Sequence, residues 1–392
     1  MVSFNFMPGA QQQASTSSQD GAASPSPNDR PLDVVFLQDT TGSQGPYIQS
    51  ARKAIRDICD KISTSGELSK DLIRFGLIAF RDHPPQDMTY VTKEFGFTSD
   101  IDVIQKNLAS LVASGGGDGP EAQTAALAAA LNMDWAENAV KMVILITDAP
   151  PHGIGESRDG FTESPDQNDP LELARQMAEK GITLFVIACE PGLSKYVNAV
   201  DFYTALTQIT SGKMFPLLMA DKLGDYIVGT AIETIETEKL IGEFEQVILD
   251  DVYTNAKPIA DVAQNLQAFM KERGVKINTL EVENVYNETA TTRQNVAYWG
   301  AAENLSKARK NIVPSNAPRM QAAYSGGNRN KAGHGAFGAA PSFSLQPQPI
   351  GLAQANRVVM QSVARSSKVT ATGMLSKVNG EFIPFSPPPP PV

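Results

Sequence analysis

Asp39, Thr41 and Ser43 stand at alternate positions in the stretch DVVFLQDTTGSQG, directly after an apolar run. A turn leaving a strand can bring one carboxylate and two hydroxyls at that spacing towards a common point. Two further loops carry matching chemistry. GGGDGPEA offers Asp118 and Glu121 just ahead of an Ala-rich segment, and ITDAPPHG places Asp148 immediately after another apolar run. If the strands that end in these loops are neighbours, Asp39, Thr41, Ser43, Glu121 and Asp148 converge on one spot. All of these donors are oxygen, and neither a thiolate nor an imidazole is required. That set suits a hard, octahedral cation such as Mg²⁺ or Mn²⁺ rather than Zn²⁺.

Other chemistries that begin with such a stretch fit less well. An aspartic protease needs D-T/S-G twice on an all-β scaffold; here Thr40 and Thr41 both precede Gly42, and there is no second copy. A haloacid-dehalogenase type phosphotransferase needs a second aspartate where Thr41 stands. GGGDG lacks the Lys-Ser/Thr that would make it a phosphate loop, and no G-x-S-x-G elbow is present for a serine hydrolase.

Positioning three loops at one edge calls for strands that end together. LDVVFLQ, LIRFGLIAF, KMVILIT and ITLFVIAC are short, nearly continuous apolar runs, the pattern of parallel strands buried on both faces. Ile48, Ala51, Ile55, Ile58 and Ile62 step by three and four along an amphipathic helix. MTYVTKEFGFTS alternates like an edge strand, Ser99 or Asp100 can cap the helix that follows, and KMFPL is a further short strand. Strands alternating with helices predict a doubly wound α/β sheet, whose ligands sit at the carboxyl ends of its strands. Beyond Gly224 the pattern reads as all-helical. Ile241, Phe244, Ile248 and Val252 form one stripe and Ile259, Val262, Leu266 and Phe269 another. These helices are expected to pack on the sheet domain or on each other.

The ends of the 392-residue chain read differently. Residues 1–30, rich in Ser, Pro and Gln, and a basic, Pro-rich tail at 314–392 have too little apolar content to offset chain entropy and are expected to be disordered. Residues 31–220 would then be the α/β domain and 221–313 a helical extension. Within the tail, Leu352, Val359 and Val363 share one face of a helix that could order on a partner, and Pro387–Pro391 favours polyproline II. The net charge is −10, yet residues 315–392 carry Arg319, Arg329, Lys331, Arg357, Arg365, Lys368 and Lys377 against Glu381 alone. The remainder is acidic, which argues against nucleic acid as a partner. Cys59 and Cys189 sit in apolar settings without a C-x-x-C, as buried thiols of a reducing compartment would. No apolar h-region opens the chain and no run nears the ~20 residues of a membrane helix. The expectation is a soluble, cytoplasmic protein without a membrane partner.

In order and spacing, DTTGS, GGGDGPE and ITDAPPHG resemble the metal-ion-dependent adhesion site, or MIDAS, of von Willebrand factor A (VWA) domains. FRDHPPQDMTYVTKEFGFTSD is similar to the intracellular branch associated with alpha-kinases and their fungal relatives. The resemblance covers roughly Leu32 to Leu218. It implies a Rossmann-like sheet of about six strands with one antiparallel edge. Thr41 and Ser43 would bind the ion directly, Asp39 directly or through water, and Asp148 from behind. The middle position departs from the commonest pattern, which supplies a threonine: DGPE is similar to an integrin β-like loop in which the glutamate, here Glu121, is the ligand. By the same likeness Asp118 would serve an adjacent calcium-type site, or simply cap its loop. His152 is placed at the ligand face; with no Cys or His companion it is not expected to be a ligand. The resemblance implies binding rather than turnover, with a protein partner's Asp or Glu completing the ion's shell. The alternative is a non-catalytic regulatory subunit of an enzyme such as an alpha-type protein kinase.

Overall fold

The computed structural model describes residues 30–64, 69–315, 317–325, 341–370, 373–378 and 381–384. The N-terminal segment up to residue 29 and the Pro387–Pro391 run lie outside the described residues. The chain begins with β1 (Leu32–Asp39), α1 (Gly45–Thr64), β2 (Ile73–Phe80), β3 (Thr92–Thr98), α2 (Ile101–Ala109) and α3 (Gln123–Leu131). It continues through β4 (Val140–Thr147), α4 (Pro170–Glu179), β5 (Ile182–Cys189), α5 (Ala199–Ile209) and β6 (Met214–Leu217). The six strands form one sheet in the order β3-β2-β1-β4-β5-β6, parallel except for β3.

Every residue of β1 is buried, because strands flank it on both sides and helices cover both faces. Val34 and Phe36 face the core under α1 and α2, whereas Val35 and Leu37 face the one under α3, α4 and α5. This two-residue period divides the apolar run between two cores. The polar residue near its start is neutralised in register: Asp33 lies opposite Arg74, which donates to both carboxylate oxygens at 2.7 and 2.6 Å. Asp100 caps α2 by accepting from the backbone N–H of Asp102, as its sequence position suggested.

Strand order reverses at β1. The chain passes from β1 to β2 on one side and later returns to β4 on the other, with Gln38 opposite Ile146. The loops leaving β1 and β4 therefore diverge around a crevice at the carboxyl edge, where doubly wound sheets hold ligands.

Past residue 220 the structure departs from the sequence expectation. The first half of α6 (Leu223–Leu249) belongs to the sheet domain, with Leu223, Tyr226, Ile227 and Ala231 in the same core as α1. Its second half builds a third core with α7 (Ile259–Glu272), in which the expected stripes Ile241/Phe244/Ile248 and Val262/Leu266 meet. The region is not all-helical: β7 (Lys276–Val282) pairs antiparallel with β8 (Phe343–Pro349). Sequence pattern hides β8, since FSLQPQP is mostly exposed and contains two prolines, which only edge strands accept. Between these strands, α8 (Ala290–Ala301) packs Trp299 edge-on against Phe202 of α5, and α9 (Leu305–Arg309) follows.

The 314–392 tail is likewise not free of structure. α10 (Leu352–Ser366) lies against α6 and α7 and buries Ala355, Val358, Val359 and Val363, so it orders on its own chain, while Leu352 stays exposed. Its polar residues made it read as solvated, but two of them are buried and bonded internally. Gln354 donates to Glu233 of α6 at 2.9 Å and to Thr279 of β7 at 3.0 Å, and Arg357 donates to the Ser211 carbonyl. Buried Glu233 also pairs with Lys213 at 2.7 Å and accepts from the Leu280 N–H, stitching β6, β7 and α10 to one helix. Three short strands, β9 (Ser367–Thr370), β10 (Gly373–Val378) and β11 (Glu381–Pro384), pair antiparallel beyond it.

Candidate metal site

The three loops named by sequence meet at the carboxyl edge of β1 and β4. Asp39, the last residue of β1, is fully buried and both of its oxygens are occupied. Oδ1 accepts from the Thr41 backbone N–H at 2.9 Å and from the Thr41 hydroxyl at 2.7 Å, while Oδ2 accepts from the Thr147 hydroxyl at 2.7 Å. On the facing loop Asp148 Oδ1 accepts from the Ser43 hydroxyl at 2.9 Å and the Gln44 side-chain amide at 2.7 Å. Thr41 and Ser43 thus direct their protons to carboxylates and keep oxygen lone pairs for an electrophile. Asp39 and Asp148 are the acceptors that orient the two hydroxyls.

Glu121 is held from the loop that precedes α3. Its backbone N–H donates to the Pro150 carbonyl at 3.0 Å, and the next residue donates to the Arg81 carbonyl at 2.8 Å. Loop one is joined to loop two by Gly42 N–H to the Gly115 carbonyl and Ser114 N–H to the Thr40 carbonyl. Gly116, at φ +87°, lets the backbone cross close to the site: a Cβ there would stand 2.8 Å from Glu121 Oε1 and 3.4 Å from Thr41 Cβ. Glu121 Oε2 is buried and has no hydrogen-bond partner. An orphaned buried carboxylate oxygen beside further carboxylates is costly unless a cation or a proton meets it.

The electrostatics agree. Burial, with Asp39, Asp82, Asp148 and Asp118 nearby, pushes the Glu121 carboxyl from 4.5 up to about 10. Burial and then Asp148 raise Asp39 to about 7, against the hydrogen bonds from Thr41 and Thr147. A site that holds protons this far above the ordinary carboxylate range has spare affinity for positive charge. Two hydroxyls, an orphaned carboxylate and two supporting carboxylates also match a hard cation in their chemistry.

His152 and Asp118 lie together where loops two and three meet. His152 is buried rather than on a ligand face: Nδ1 bonds Asp159 and Nε2 bonds Asp82, each at 2.7 Å. Burial opposes its charging, but these two carboxylates outweigh it and raise the imidazole to about 9, so it is an internal counter-charge. Its ring meets Phe161 edge-on and sits beside His83. Asp118 Oδ2 accepts from the Gly160 N–H and the Gln86 amide, tying loop two to the segment after β4. Asp82, Asp118 and His152 nevertheless present ligand atoms within 4.8 Å of one another, and Asp82 Oδ2 and Asp118 Oδ1 are buried without partners.

Sequence reasoning missed Thr147, Gln44, Gln123 and Asp82. Thr147 and Gln44 adjoin residues that were named, but their roles depend on which strand lies beside which. Gln123 donates to the Thr147 hydroxyl and to the Ala149 carbonyl, a bond between loops two and three that no linear spacing displays.

A family model for the von Willebrand factor type A domain matches residues 33–222. Those residues are a VWA domain. Relatives of the chain include an alpha-protein kinase, vwkA, of Dictyostelium discoideum, 30% identical over 122 residues that make up 31% of this chain and 19% of that protein. A protein named ariadne-like RING finger protein R811, of Acanthamoeba polyphaga mimivirus, is 29% identical over 193 residues, 47% of this chain and 18% of the relative. The matching part therefore spans about a fifth of either relative's length. Similar solved structures include a von Willebrand factor type A protein from Catenulispora acidiphila, 16% identical, with a TM-score of 0.35, covering 53% of this chain and 43% of that one. The pilus adhesin SpaC from Lactobacillus rhamnosus GG is 17% identical with a TM-score of 0.40, covering 53% of this chain and 30% of the adhesin. Among the described residues no helix is long and apolar enough to cross a membrane.

Proposed function

We propose that the VWA domain of this chain is a cation-dependent protein-interaction module without catalytic activity of its own. In this reading Thr41, Ser43 and Glu121 hold a Mg²⁺ or Mn²⁺ ion, with Asp39 and Asp148 behind the hydroxyls. A position left open on the ion takes an Asp or Glu carboxylate from a cytoplasmic protein partner. The observation that carries the proposal is the buried, unpartnered Glu121 Oε2, on a carboxylate whose other oxygen lies with Thr41 beside Gly116, among carboxylates that push its proton affinity far up. The second, calcium-type ion of the same reading would sit at Asp118 and Asp82, whose spare oxygens point to cation chemistry in their turn. The non-catalytic character follows from the donor set, in which acids and hydroxyls orient one another and leave no poised nucleophile.

Thermal unfolding of the full chain tests the proposal, in EDTA and in millimolar Mg²⁺ or Mn²⁺, beside Asp39→Ala. A cation at 100 times its dissociation constant adds about 2.7 kcal/mol of stability. The wild type should gain and Asp39→Ala should not. Equal responses, or none from the wild type, would sink the ion reading. The similarity to an alpha-protein kinase favours a second reading, in which this chain serves such a kinase as a regulatory subunit. Kinase activity that co-purifies with the chain and disappears on stringent washing would separate it from the first.

A further inference from the structure

Beside Asp148 the surface opens into a cleft of about 460 Å³, with Asp118, Arg158, Lys195 and Tyr196 among its walls. The cleft and the candidate ion site share a wall, because Asp148 lies against Gly192, where an added Cβ would come within 2.5 Å of the Asp148 Cβ. Its frame is fixed. Tyr196 donates its hydroxyl to the Gly119 carbonyl at 2.8 Å, and Glu156 accepts the backbone N–H groups of Val197 and Asn198 at 3.0 and 2.7 Å.

Arg158 and Lys195 are exposed, and neither side chain has an ion-pair or hydrogen-bond partner among the described residues. That is unusual in a chain of net charge −10, with three carboxylates lining the same cleft. Each of those carboxylates accepts from other groups: Glu156 from backbone N–H groups, Asp148 from Ser43 and Gln44, and Asp118 through Oδ2 from Gly160 and Gln86, while Asp118 Oδ1 stays buried and unpartnered. The two cations are thereby left for an outside anion, and the Arg158 guanidinium can meet a carboxylate through two parallel bonds.

We infer that this cleft is a second acid-binding subsite, so that the partner presents an acidic segment with two carboxylates, one for the ion and one for Arg158 and Lys195. The inference rests on the cation reading of the neighbouring loops and adds to it the kind of sequence that the site selects. The cleft's size lies in the ~300–1,000 Å³ range of small-ligand clefts, so it takes a few extended residues rather than a folded face. Extended chain advances about 3.3 Å per residue, so acids separated by one to three residues sample spans of roughly 7–13 Å.

The experiment uses the full chain in Mg²⁺ at low salt and fluorescent Gly/Ser/Ala peptides, blocked at both ends. The peptides carry either one Asp or two Asp residues separated by one, two or three positions. At least one two-acid peptide should bind about tenfold tighter than the one-acid peptide, with a gain that shrinks as salt screens the exposed charges. The double variant Arg158→Ala/Lys195→Ala should lose that gain while keeping the one-acid affinity and the Mg²⁺-induced thermal shift. Equal binding of one-acid and two-acid peptides to the wild type overturns the inference, as does a gain that survives in the double variant. A Mg²⁺ thermal shift with no peptide binding would leave the ion and remove both acid subsites. The absence of any Mg²⁺ shift would instead mark failure of the cation reading itself.

Discussion

Replacing Glu121 by glutamine keeps the shape of the side chain and removes its charge. The effect in metal-free protein follows from the proton affinity of the wild-type group. Its carboxyl titrates near 4.5 when free of the fold and at about 10 inside it, because burial and the carboxylates of Asp39, Asp82, Asp148 and Asp118 oppose ionisation. Between those values the folded state binds the proton and the unfolded state does not. Wild-type stability in EDTA therefore falls as pH rises, by up to about 1.4 kcal/mol per unit from this group. At pH 7.5, three units above the lower value, the accumulated penalty is at most about 4 kcal/mol. Glu121→Gln should escape it and be more stable than the wild type in EDTA, by a margin that grows from pH 5 to pH 8. Since 1 kcal/mol moves the midpoint of a domain this size by roughly 2–4 °C, calorimetry resolves the difference. Added Mg²⁺ should then reverse the ranking, stabilising the wild type most where its carboxylates are easiest to ionise. A variant less stable than the wild type at every pH, with a parallel pH profile, would refute the reasoning. It would mean that Glu121 has a protein partner and that its charge is not in surplus.

Other consequences follow from the same contacts. Gly192→Ala pushes a methyl group into Asp148; it should cost ~1–3 kcal/mol and weaken the Mg²⁺ response, read by the same calorimetry. His152→Ala strips the counter-charge from Asp82 and Asp159 and should cost ~3–5 kcal/mol. The wild-type histidine's contribution is fully present below about pH 6.5 and fades as pH rises through about 9, so the gap between the two proteins should close in alkali. Glu233→Ala leaves half-buried Lys213 and buried Arg357 without their acid; it should cost ~3–5 kcal/mol and speed hydrogen exchange in α10 ahead of β1. Ending the chain at Val313 removes β8 from β7 and takes Ile350 and α10 out of the third core, which increased binding of a hydrophobic dye should report.

The sheet was legible because its central strands are almost wholly buried. Runs such as LDVVFLQ and KMVILIT have no polar face to confuse the reading, and the loops that leave them carry recognisable donors. Alternation identified β3 as an edge, and the 3.6-residue stripes on α6 and α7 placed the third core. What escaped was structure stabilised by polar contacts between distant segments. β8 alternates, but its two prolines and exposed side chains argue against a strand, and it exists because β7 offers a partner some sixty to seventy positions earlier. α10 hides Gln354 and Arg357 inside the protein, where Glu233 and Thr279 accept from Gln354 and the Ser211 carbonyl accepts from Arg357 Nε. His152 escaped for a related reason: its two aspartates lie seventy positions upstream and seven downstream, and only the folded loops bring them together. At the candidate site the direct donors were readable one loop at a time. The hydroxyl of Thr147 on Asp39 and the amide of Gln44 on Asp148 depend on the pairing of β1 with β4.

The most direct test of the ion's place is anomalous diffraction from crystals of the full chain grown with Mn²⁺. A strong peak about 2.0–2.2 Å from Thr41 Oγ1, Ser43 Oγ and a Glu121 carboxylate oxygen is expected, at the octahedral distances of a hard cation. No peak among these oxygens at saturating Mn²⁺, or one bound elsewhere while Glu121 stays turned away, would contradict a cation-dependent interaction site on this face.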